Sequence, residues 1–303
     1  MGYGKHPTPV MTLAHFTDTH LIAGDGHGPG LIGGIVDTEQ RLTEALERLR
    51  ATVQGQDAPL AAIVVSGDVA DRAEPEAYRM AAQMFGAVAQ EFNASLVFTP
   101  GNHDERSPMA EHLLGLAPTH DALDAVFDVH GLRIIALDST LNGYHHGGLD
   151  DGQAEWLAQQ LQAPAPLGTV LTMHHPPIPY RTNVMRLLEF VDDQLLADVI
   201  RGTDVRHILC GHLHVQGGGT LAGVPVTVAG AISYVDDLST SPASMRGIDD
   251  GQAFSLVEIG ETITHWSVPS REYPGHEPLP EELLASLDAM APDARREWFS
   301  RKR

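Results

Sequence analysis

The feature that most constrains this sequence is a set of short apolar segments that each stop at a polar motif. One runs from Ala61 to Ser66 and ends at Gly67-Asp68. A β-branched run bounded by a breaker is typical of a buried strand, and in open α/β sheets the chemistry lies beyond the carboxyl ends of strands. Four further apolar runs end in the same way, at Asp18-Thr19-His20, Gly101-Asn102-His103-Asp104, His174-His175 and Gly211-His212-Leu213-His214. This repetition predicts an α/β fold with one site at the strand ends.

The segments between the first strands have the periodicity of amphipathic helices. Apolar residues recur at helical spacing in 38–51, and a second stripe begins at Pro75 and continues to Phe92. A strand, a helix and a parallel strand form a crossover unit, whose connection is expected to be right-handed.

Three later segments also give helix predictions. Ser107 and Pro108 resemble an N-cap followed by a first helical residue, so a short helix is expected to begin there. The stretch 187–200 is interpreted as one continuous helix, and 280–290 as a terminal helix. The basic segment 294–303 is expected to be a solvated or docked tail, with contact to an anionic membrane as the alternative.

Composition limits the partners. The chain has 303 residues, 43% of them hydrophobic, and a formal net charge of −21. Nucleic-acid binding depends largely on Lys and Arg neutralising phosphates, so this charge argues against a nucleic-acid partner. No apolar run approaches the length of a membrane span. The single Cys210 suits a reducing compartment, and the first ten residues contain no apolar signal region, so we expect a cytoplasmic protein.

The polar strand ends supply a candidate metal site. Any one of these histidines, taken alone, is more simply explained as a core or surface residue. Together they provide nitrogen and oxygen ligands that suit first-row metals: Asp18, His20, Asp68, Asn102, His174, His212 and His214. Seven ligands exceed the needs of one tetrahedral ion but suit two ions that share a carboxylate.

In this order, the motifs Asp-x-His, Gly-Asp, Gly-Asn-His-Asp, His before Pro-Pro, and Gly-His-x-His resemble those of the calcineurin-like metallophosphoesterases. The resemblance covers Asp18 to His214. It implies a four-layer α/β/β/α sandwich with two mixed sheets. It also implies that a first metal is held by Asp18, His20, Asp68 and His214, and a second by Asp68, Asn102, His174 and His212.

A narrower resemblance, to the bacterial and especially actinobacterial class III cyclic-nucleotide phosphodiesterases, rests on 67–71, 101–106, 131–135, 144–147, 174–179 and 202–206. It implies hydrolysis of 3′,5′-cyclic AMP, and of other cyclic nucleotides or small phosphodiesters, to the 5′-monophosphate by a metal-bound hydroxide. Two divalent or mixed-valence ions (Mn, Fe or Zn) and a homodimer are also implied. The alternatives are a glycerophosphodiesterase or general phosphodiesterase with the same metals, and a non-catalytic scaffold.

The same resemblance suggests roles around the metals. His103 is the expected catalytic residue beside Asn102, either binding a phosphoryl oxygen or protonating the leaving 3′-oxygen. Asn102, His214 and His146, or its neighbour His145, are expected to face the substrate. Asp71 and Asp104 are candidate orienting residues. Arg106 either contacts the substrate phosphate or forms a salt bridge. Residues 1–270 are expected to form the catalytic domain, and 271–303 a helical extension.

Overall fold

A computed structural model describes residues 6–24, 28–241 and 243–302 of the chain. These residues form two compact units, one comprising 9–271 and the other comprising 272–302 with residues 6–8. The smaller unit contains helices α6 (Glu281–Asp288) and α7 (Pro292–Ser300). Within the described residues, no helix combines the length and the apolar character needed to cross a membrane.

The larger unit contains all of the described strands. They are β1 Met11–Phe16, β2 Leu31–Ile32, β3 Val36–Asp37, β4 Leu60–Ser66, β5 Ser95–Thr99, β6 Ala125–Val129, β7 Leu132–Ala136, β8 Thr169–Thr172, β9 Val205–Cys210, β10 Gly217–Leu221, β11 Val224–Val228, β12 Val235–Asp236, β13 Gly247–Ile248, β14 Ala253–Ile259 and β15 Ile263–Pro269. Its helices are α1 Thr38–Val53, α2 Pro75–Phe92, α3 Arg106–His112, α4 Asp151–Gln160 and α5 Asp193–Ile200, with a 3₁₀ helix at Met185–Leu188.

Two mixed sheets organise this unit, as predicted. The first has the order β15-β14-β1-β4-β5, in which β1, β4 and β5 are parallel and β14 is antiparallel to β1. The second has the order β10-β11-β9-β8-β7-β6, in which β7, β8, β9 and β11 are parallel. Because the carboxyl ends of parallel strands meet at one edge, each sheet presents a row of strand ends to its loops.

The apolar core is divided among three clusters. One cluster, which includes Leu13 of β1 and Leu209 of β9, contains residues of both sheets. A second packs the first sheet against α1 and α2, with Leu42 and Phe85 fully buried. A third packs the second sheet against α4 and α5. The four-layer order stays a prediction, which this division of the core supports.

The structure corrects two helix predictions. Helix α3 begins at Arg106 with Glu105 as its N-cap, so Ser107 is not the cap. The predicted helix over 187–200 is interrupted between the 3₁₀ helix and α5. Val191 N–H donates to the Gly147 carbonyl, and Leu149 N–H donates to the Asp192 carboxylate. These bonds hold residues 191–192 against the 147–149 loop, so this segment does not continue the helical hydrogen bonding.

Candidate functional site

The candidate ligands converge from both sheets. Asp18, Asp68 and Asn102 follow the carboxyl ends of β1, β4 and β5. Four histidines join them: His20 from the loop after β1, His174 from the loop after β8, and His212 and His214 from the loop after β9. Their side chains are almost fully buried, apart from the half-buried Asn102. Such burial of carboxylates and imidazoles is costly unless each group is paired or ligates a cation.

The first cluster consists of Asp18, His20, Asp68 and His214, whose ligand atoms lie within 4.8 Å of one another. His20 Nε2 lies 3.1 Å from His214 Nε2 and 3.4 Å from Asp68 Oδ2. His214 Nε2 lies 3.3 Å from Asp18 Oδ1. This cluster is able to hold a metal ion.

The second cluster consists of Asn102, His174 and His212, together with Asp68, which it shares with the first. His174 Nε2 lies 3.3 Å from Asp68 Oδ2 and 3.1 Å from Asn102 Oδ1. The His212 ring packs edge-on against the His174 ring at a centroid distance of 5.0 Å. The single oxygen Oδ2 of Asp68 therefore faces one histidine of each cluster, which is an arrangement suited to a carboxylate that bridges two metal positions.

Each histidine turns one nitrogen toward the clusters because the other is already engaged. His174 Nδ1 lies 2.8 Å from the Ser66 carbonyl, and His214 Nδ1 lies 2.9 Å from the Tyr234 carbonyl. A carbonyl oxygen only accepts, so these ring nitrogens donate and leave Nε2 as the metal-facing acceptor. His20 Nδ1 lies 3.1 Å from Asp71 Oδ1, with the same consequence. His212 is reversed: Nε2 donates to the Leu188 carbonyl at 3.1 Å, which leaves Nδ1.

These tautomers test whether the residues fit a metal. When the neutral His20 and His214 both present unprotonated Nε2 atoms, two lone pairs face each other at 3.1 Å beside two carboxylates. Such a set of acceptors repels unless a proton or a cation lies among them. Hydrogen bonds that fix the second nitrogen of a histidine are also characteristic of metal ligands. The residues present therefore fit a metal centre.

In the metal-free chain, the directions of the pKa shifts indicate which of the candidate ligands carry a proton. Burial would lower the pKa of His174, but the Asp68 carboxylate, with help from Asp18, raises it to about 9. Burial and the neighbouring His174 lower the pKa of His212 to about 3. Burial would raise the pKa of Asp68, yet His174 and His20 hold it well below its ordinary value. Metal binding should therefore release a proton from His174.

The backbone at the strand ends is held in a conformation that non-glycine residues rarely adopt. Positive φ values occur at five candidate ligands, namely Asp18, His20, Asp68, His212 and His214. The adjacent glycines allow close approach: a Cβ on Gly101 would lie 2.2 Å from the Asp68 nitrogen, and one on Gly67 would lie 2.4 Å from His174 Nδ1. Residues at sparsely populated φ and ψ cluster at functional sites, where the surrounding structure fixes them.

The predicted catalytic histidine lies beside the first cluster. The His103 ring packs edge-on against His20 at 4.7 Å, and its backbone N–H donates to Asp68 Oδ1 at 2.8 Å. Its Nδ1 donates to the Asp71 carbonyl at 2.9 Å, which leaves Nε2 for other partners. Asp71 thus contacts both His20 and His103.

Asp104 has a different role from that of Asp71. Its carboxylate accepts hydrogen bonds from the backbone N–H groups of Val69, Ala70 and Gly101 and from the Tyr78 hydroxyl. Asp104 therefore ties together the loops after β4 and β5.

Two predictions left alternatives open, one for His145 or His146 and one for Arg106, and the structure shows the contacts of each residue. The neighbour His145, and not His146, approaches the clusters: Asn102 Nδ2 donates to His145 Nδ1 at 3.0 Å, whereas the His146 ring packs against Tyr144. Arg106 directs Nε, Nη1 and Nη2 to Asp138, the His120 carbonyl and the Thr140 carbonyl, so its guanidinium is engaged within the protein. The signal for His145 was its place in the Tyr-His-His-Gly motif, which does not distinguish adjacent histidines.

A polar pocket opens beside the second cluster. It begins at Asn102 and His145, and its wall includes Glu105, Asn142 and Tyr144. If a small molecule binds at the clusters, the part of it that extends into this pocket would contact hydrogen-bonding side chains and an exposed aromatic ring.

Comparison with known proteins identifies the family. The profile of the calcineurin-like phosphoesterase family matches residues 11–216. The chain is 42% identical to a cAMP/cGMP dual specificity phosphodiesterase of Mycobacterium tuberculosis, over 88% of this chain and 81% of that relative. It is 31% identical to the glycerophosphodiester phosphodiesterase GpdQ of Enterobacter lignolyticus, over 72% of this chain and 78% of that relative.

A solved structure agrees at the level of the fold. A dimetal phosphatase from Danio rerio aligns with a TM-score of 0.57 and 16% identity, over 87% of this chain and 98% of that one. The family profile covers both candidate clusters and the strands that carry them. The chain therefore belongs to the calcineurin-like phosphoesterase family.

Proposed function

We propose that this protein is a binuclear metal-dependent phosphodiesterase that hydrolyses 3′,5′-cyclic AMP, and other cyclic nucleotides, to the 5′-monophosphate. The observation that carries the proposal is the pair of donor clusters that share Asp68 Oδ2. The substrate class rests on the relative named a cAMP/cGMP dual specificity phosphodiesterase.

In this proposal the first metal is held by Asp18, His20, Asp68 and His214, and the second by Asp68, Asn102, His174 and His212. Nitrogen and oxygen ligands of this kind suit Mn, Fe and Zn. Bound there, the pair of ions would activate water and stabilise charge on the phosphoryl oxygens. Two divalent ions carry four positive charges and Asp18 and Asp68 remove two, which leaves about +2 to attract an anion to an otherwise acidic protein.

His103 is the proposed catalytic acid. Its Nδ1 is engaged by the Asp71 carbonyl, so a protonated ring has Nε2–H free to donate to the leaving 3′-oxygen. Asp71 Oδ1 lies 3.1 Å from His20 Nδ1 and 3.7 Å from His103 Nδ1. Asn102 and His214 would contact the phosphate from opposite clusters, and of the two adjacent histidines, His145 and His146, we propose His145 as the substrate-facing one because it contacts Asn102.

The polar pocket indicates how the nucleoside part of the substrate would be oriented. A phosphate held at the clusters would extend its nucleoside past Asn102 and His145 toward Asn142 and Tyr144. Asn142 offers both a donor and an acceptor, and the exposed Tyr144 ring offers a stacking surface for a base.

The test combines metal analysis with a cyclic AMP assay on one preparation. We expect two metal ions per chain, cyclic AMP turnover that chelation abolishes, and a His103→Ala variant that keeps its metal but loses turnover by about 10²-fold or more. Undetectable cyclic-nucleotide turnover beside fast glycerophosphodiester turnover would instead favour the second candidate, which the 31% identity to GpdQ supports. Absence of aryl phosphodiester hydrolysis after metal supplementation would favour a non-catalytic scaffold.

We further propose that residues 1–270 form the catalytic domain, that 271–303 are an extension, and that the protein is a cytoplasmic homodimer. The compact unit 9–271, which contains every candidate ligand, supports the domain limit. A protein ending at residue 270 should keep cyclic AMP turnover. Sedimentation of the full chain measures the oligomeric state, and cell fractionation measures the location.

A further inference from the structure

His175 has no role in the function proposed above, although it lies directly behind the second cluster. It is fully buried, and its ring lies 4.5 Å from the His212 ring and 5.0 Å from the His174 ring. Its ligand atoms group with those of His174 and His212 as a possible metal site. Hydrogen bonds decide whether it ligates a metal.

Both ring nitrogens of His175 are engaged within the protein. Nε2 lies 3.2 Å from the His145 carbonyl, and because a carbonyl only accepts, Nε2–H donates. Nδ1 is then the acceptor, and the Ser139 hydroxyl donates to it at 2.9 Å. The same hydroxyl oxygen accepts from the His175 backbone N–H at 3.2 Å. The His145 carbonyl therefore fixes the tautomer of His175, and because the Ser139 hydroxyl occupies Nδ1, no lone pair of the ring remains for a metal.

The carbonyl that His175 holds belongs to the residue that orients Asn102. Asn102 Nδ2 donates to His145 Nδ1 at 3.0 Å, which directs Oδ1 toward His174 Nε2 at 3.1 Å. The loop is also pressed against the His175 ring, since a Cβ on Gly147 would lie 2.4 Å from His175 Cγ. A chain of contacts thus runs from Ser139 through His175 and His145 to Asn102.

We propose that His175 is a positioning residue for the phosphodiesterase reaction: it holds the His145 backbone so that the His145 ring keeps the Asn102 amide oxygen facing the second metal position. The proposal rests on the proposed function. An amide has two faces, and only its oxygen can ligate a cation. Without the His145 acceptor, rotation of the amide by a half-turn would present the NH₂ group instead.

A buried histidine that merely fills the core predicts a different result. In that case any replacement of His175 would lower stability, and it would make no difference which ring nitrogen the polar group of the new side chain replaces. The positioning role depends on a donor at the Nε2 position. His175→Gln can place an amide N–H there, whereas His175→Asn reaches only the Nδ1 position. The two variants therefore separate the roles.

His207→Asn is the matched control. His207 is also buried in the second sheet, and its Nε2 lies 3.0 Å from Thr227 Oγ1, away from the candidate ligands. It reports the general effect of replacing a buried histidine. Ser139→Ala is the second test variant if His175→Asn does not fold, because it removes the hydroxyl that holds His175 at Nδ1 and at its backbone N–H.

Three measurements test the proposal, one of them on metal-free protein. In metal-free protein, amide hydrogen exchange over residues 140–147 should accelerate in His175→Asn and Ser139→Ala but not in His175→Gln or the control. With Mn²⁺ at fixed concentration, His175→Asn should fall from two bound ions toward one. Its kcat for bis(p-nitrophenyl) phosphate should fall about 10- to 100-fold, the range typical of residues that orient metal ligands, with His175→Gln keeping most of the turnover.

Equal losses in His175→Asn and His175→Gln, or two bound Mn²⁺ ions and wild-type kcat in His175→Asn, would overturn the proposal. The proposed function fails separately, when wild-type protein binds two ions and does not turn over any cyclic nucleotide. The exchange and Mn²⁺ measurements remain decisive for His175 in that event.

Discussion

Arg106 offers a direct test of a buried network against a substrate contact. Its Nε donates to Asp138 Oδ2 at 2.8 Å, and Nη1 and Nη2 donate to the carbonyls of His120 and Thr140 at 3.1 Å and 2.9 Å. The Asp138 side chain has no solvent exposure, and that of Arg106 is 18% exposed. The guanidinium therefore joins α3 to the loops on both sides of the β6–β7 hairpin.

Arg106→Met keeps much of the stem and removes all three donors. A hydrogen bond to a charged group is worth about 1.5–3 kcal/mol and one to a neutral group about 1 kcal/mol. All three bonds have the ionised guanidinium as their donor, but Arg106 is partly exposed and such contributions are not additive, so we expect the free energy of unfolding to fall by about 4 kcal/mol. This agrees with the roughly 3–5 kcal/mol lost when one partner of a buried ion pair is removed.

Chemical denaturation of metal-free protein measures this loss, and a double-mutant cycle isolates the pair. Asp138→Asn combined with Arg106→Met should show a coupling of about 1–3 kcal/mol, because the second change removes the buried charge that the first leaves unpaired. The KM of Arg106→Met for cyclic AMP should change by less than tenfold, because the guanidinium is engaged within the protein. A loss below about 1 kcal/mol together with a tenfold higher KM would refute this reasoning and place Arg106 at the substrate.

Three further predictions concern the site and the core. Asp68→Asn should bind fewer than two metal ions and lose most turnover while remaining folded, which metal analysis and circular dichroism check; a variant with two ions and full turnover contradicts the shared ligand. Chelation should lower the midpoint of thermal unfolding, since ions that bind only the folded chain stabilise it, and an unchanged midpoint would count against the clusters as metal sites. Burial, with His265, lowers the pKa of His207 to about 4, so the unfolded chain binds more protons between about pH 6.5 and pH 4 and the free energy of unfolding falls as the pH falls through this range. In metal-free protein His207→Gln should remove about 1.4 kcal/mol per pH unit of that slope, and an unaltered slope would be the contrary result.

Much of the first sheet was predictable because its signals are local. The run ending at Ser66 is buried along its whole length, and the helix predicted from Pro75 to Phe92 has those limits in the structure. The candidate ligands were predictable as a group because strand ends of parallel sheets meet.

Other features depend on tertiary contacts that a local pattern does not contain. Strand β10 includes three consecutive glycines, a composition that disfavours strands, and its ladder with β11 decides its conformation. The interruption after Leu188 depends on bonds to Gly147, which is distant in sequence. The choice between His145 and His146 likewise depends on how the loop closes onto His175.

The candidate site lowers the stability of the metal-free fold, because its backbone is strained and its acceptors face one another. Metal binding is therefore linked to stability. Positive φ at non-glycine residues costs of order 1 kcal/mol or more each, and five of the seven candidate ligands have it. Their second nitrogens and oxygens are fixed by bonds such as those of His174 to Ser66 and His214 to Tyr234, so the remaining acceptors cannot turn away from one another. A cation between them removes the repulsion without moving the backbone. We therefore infer that the two clusters form before metal binding, and that the metals stabilise a geometry that the strand ends already impose.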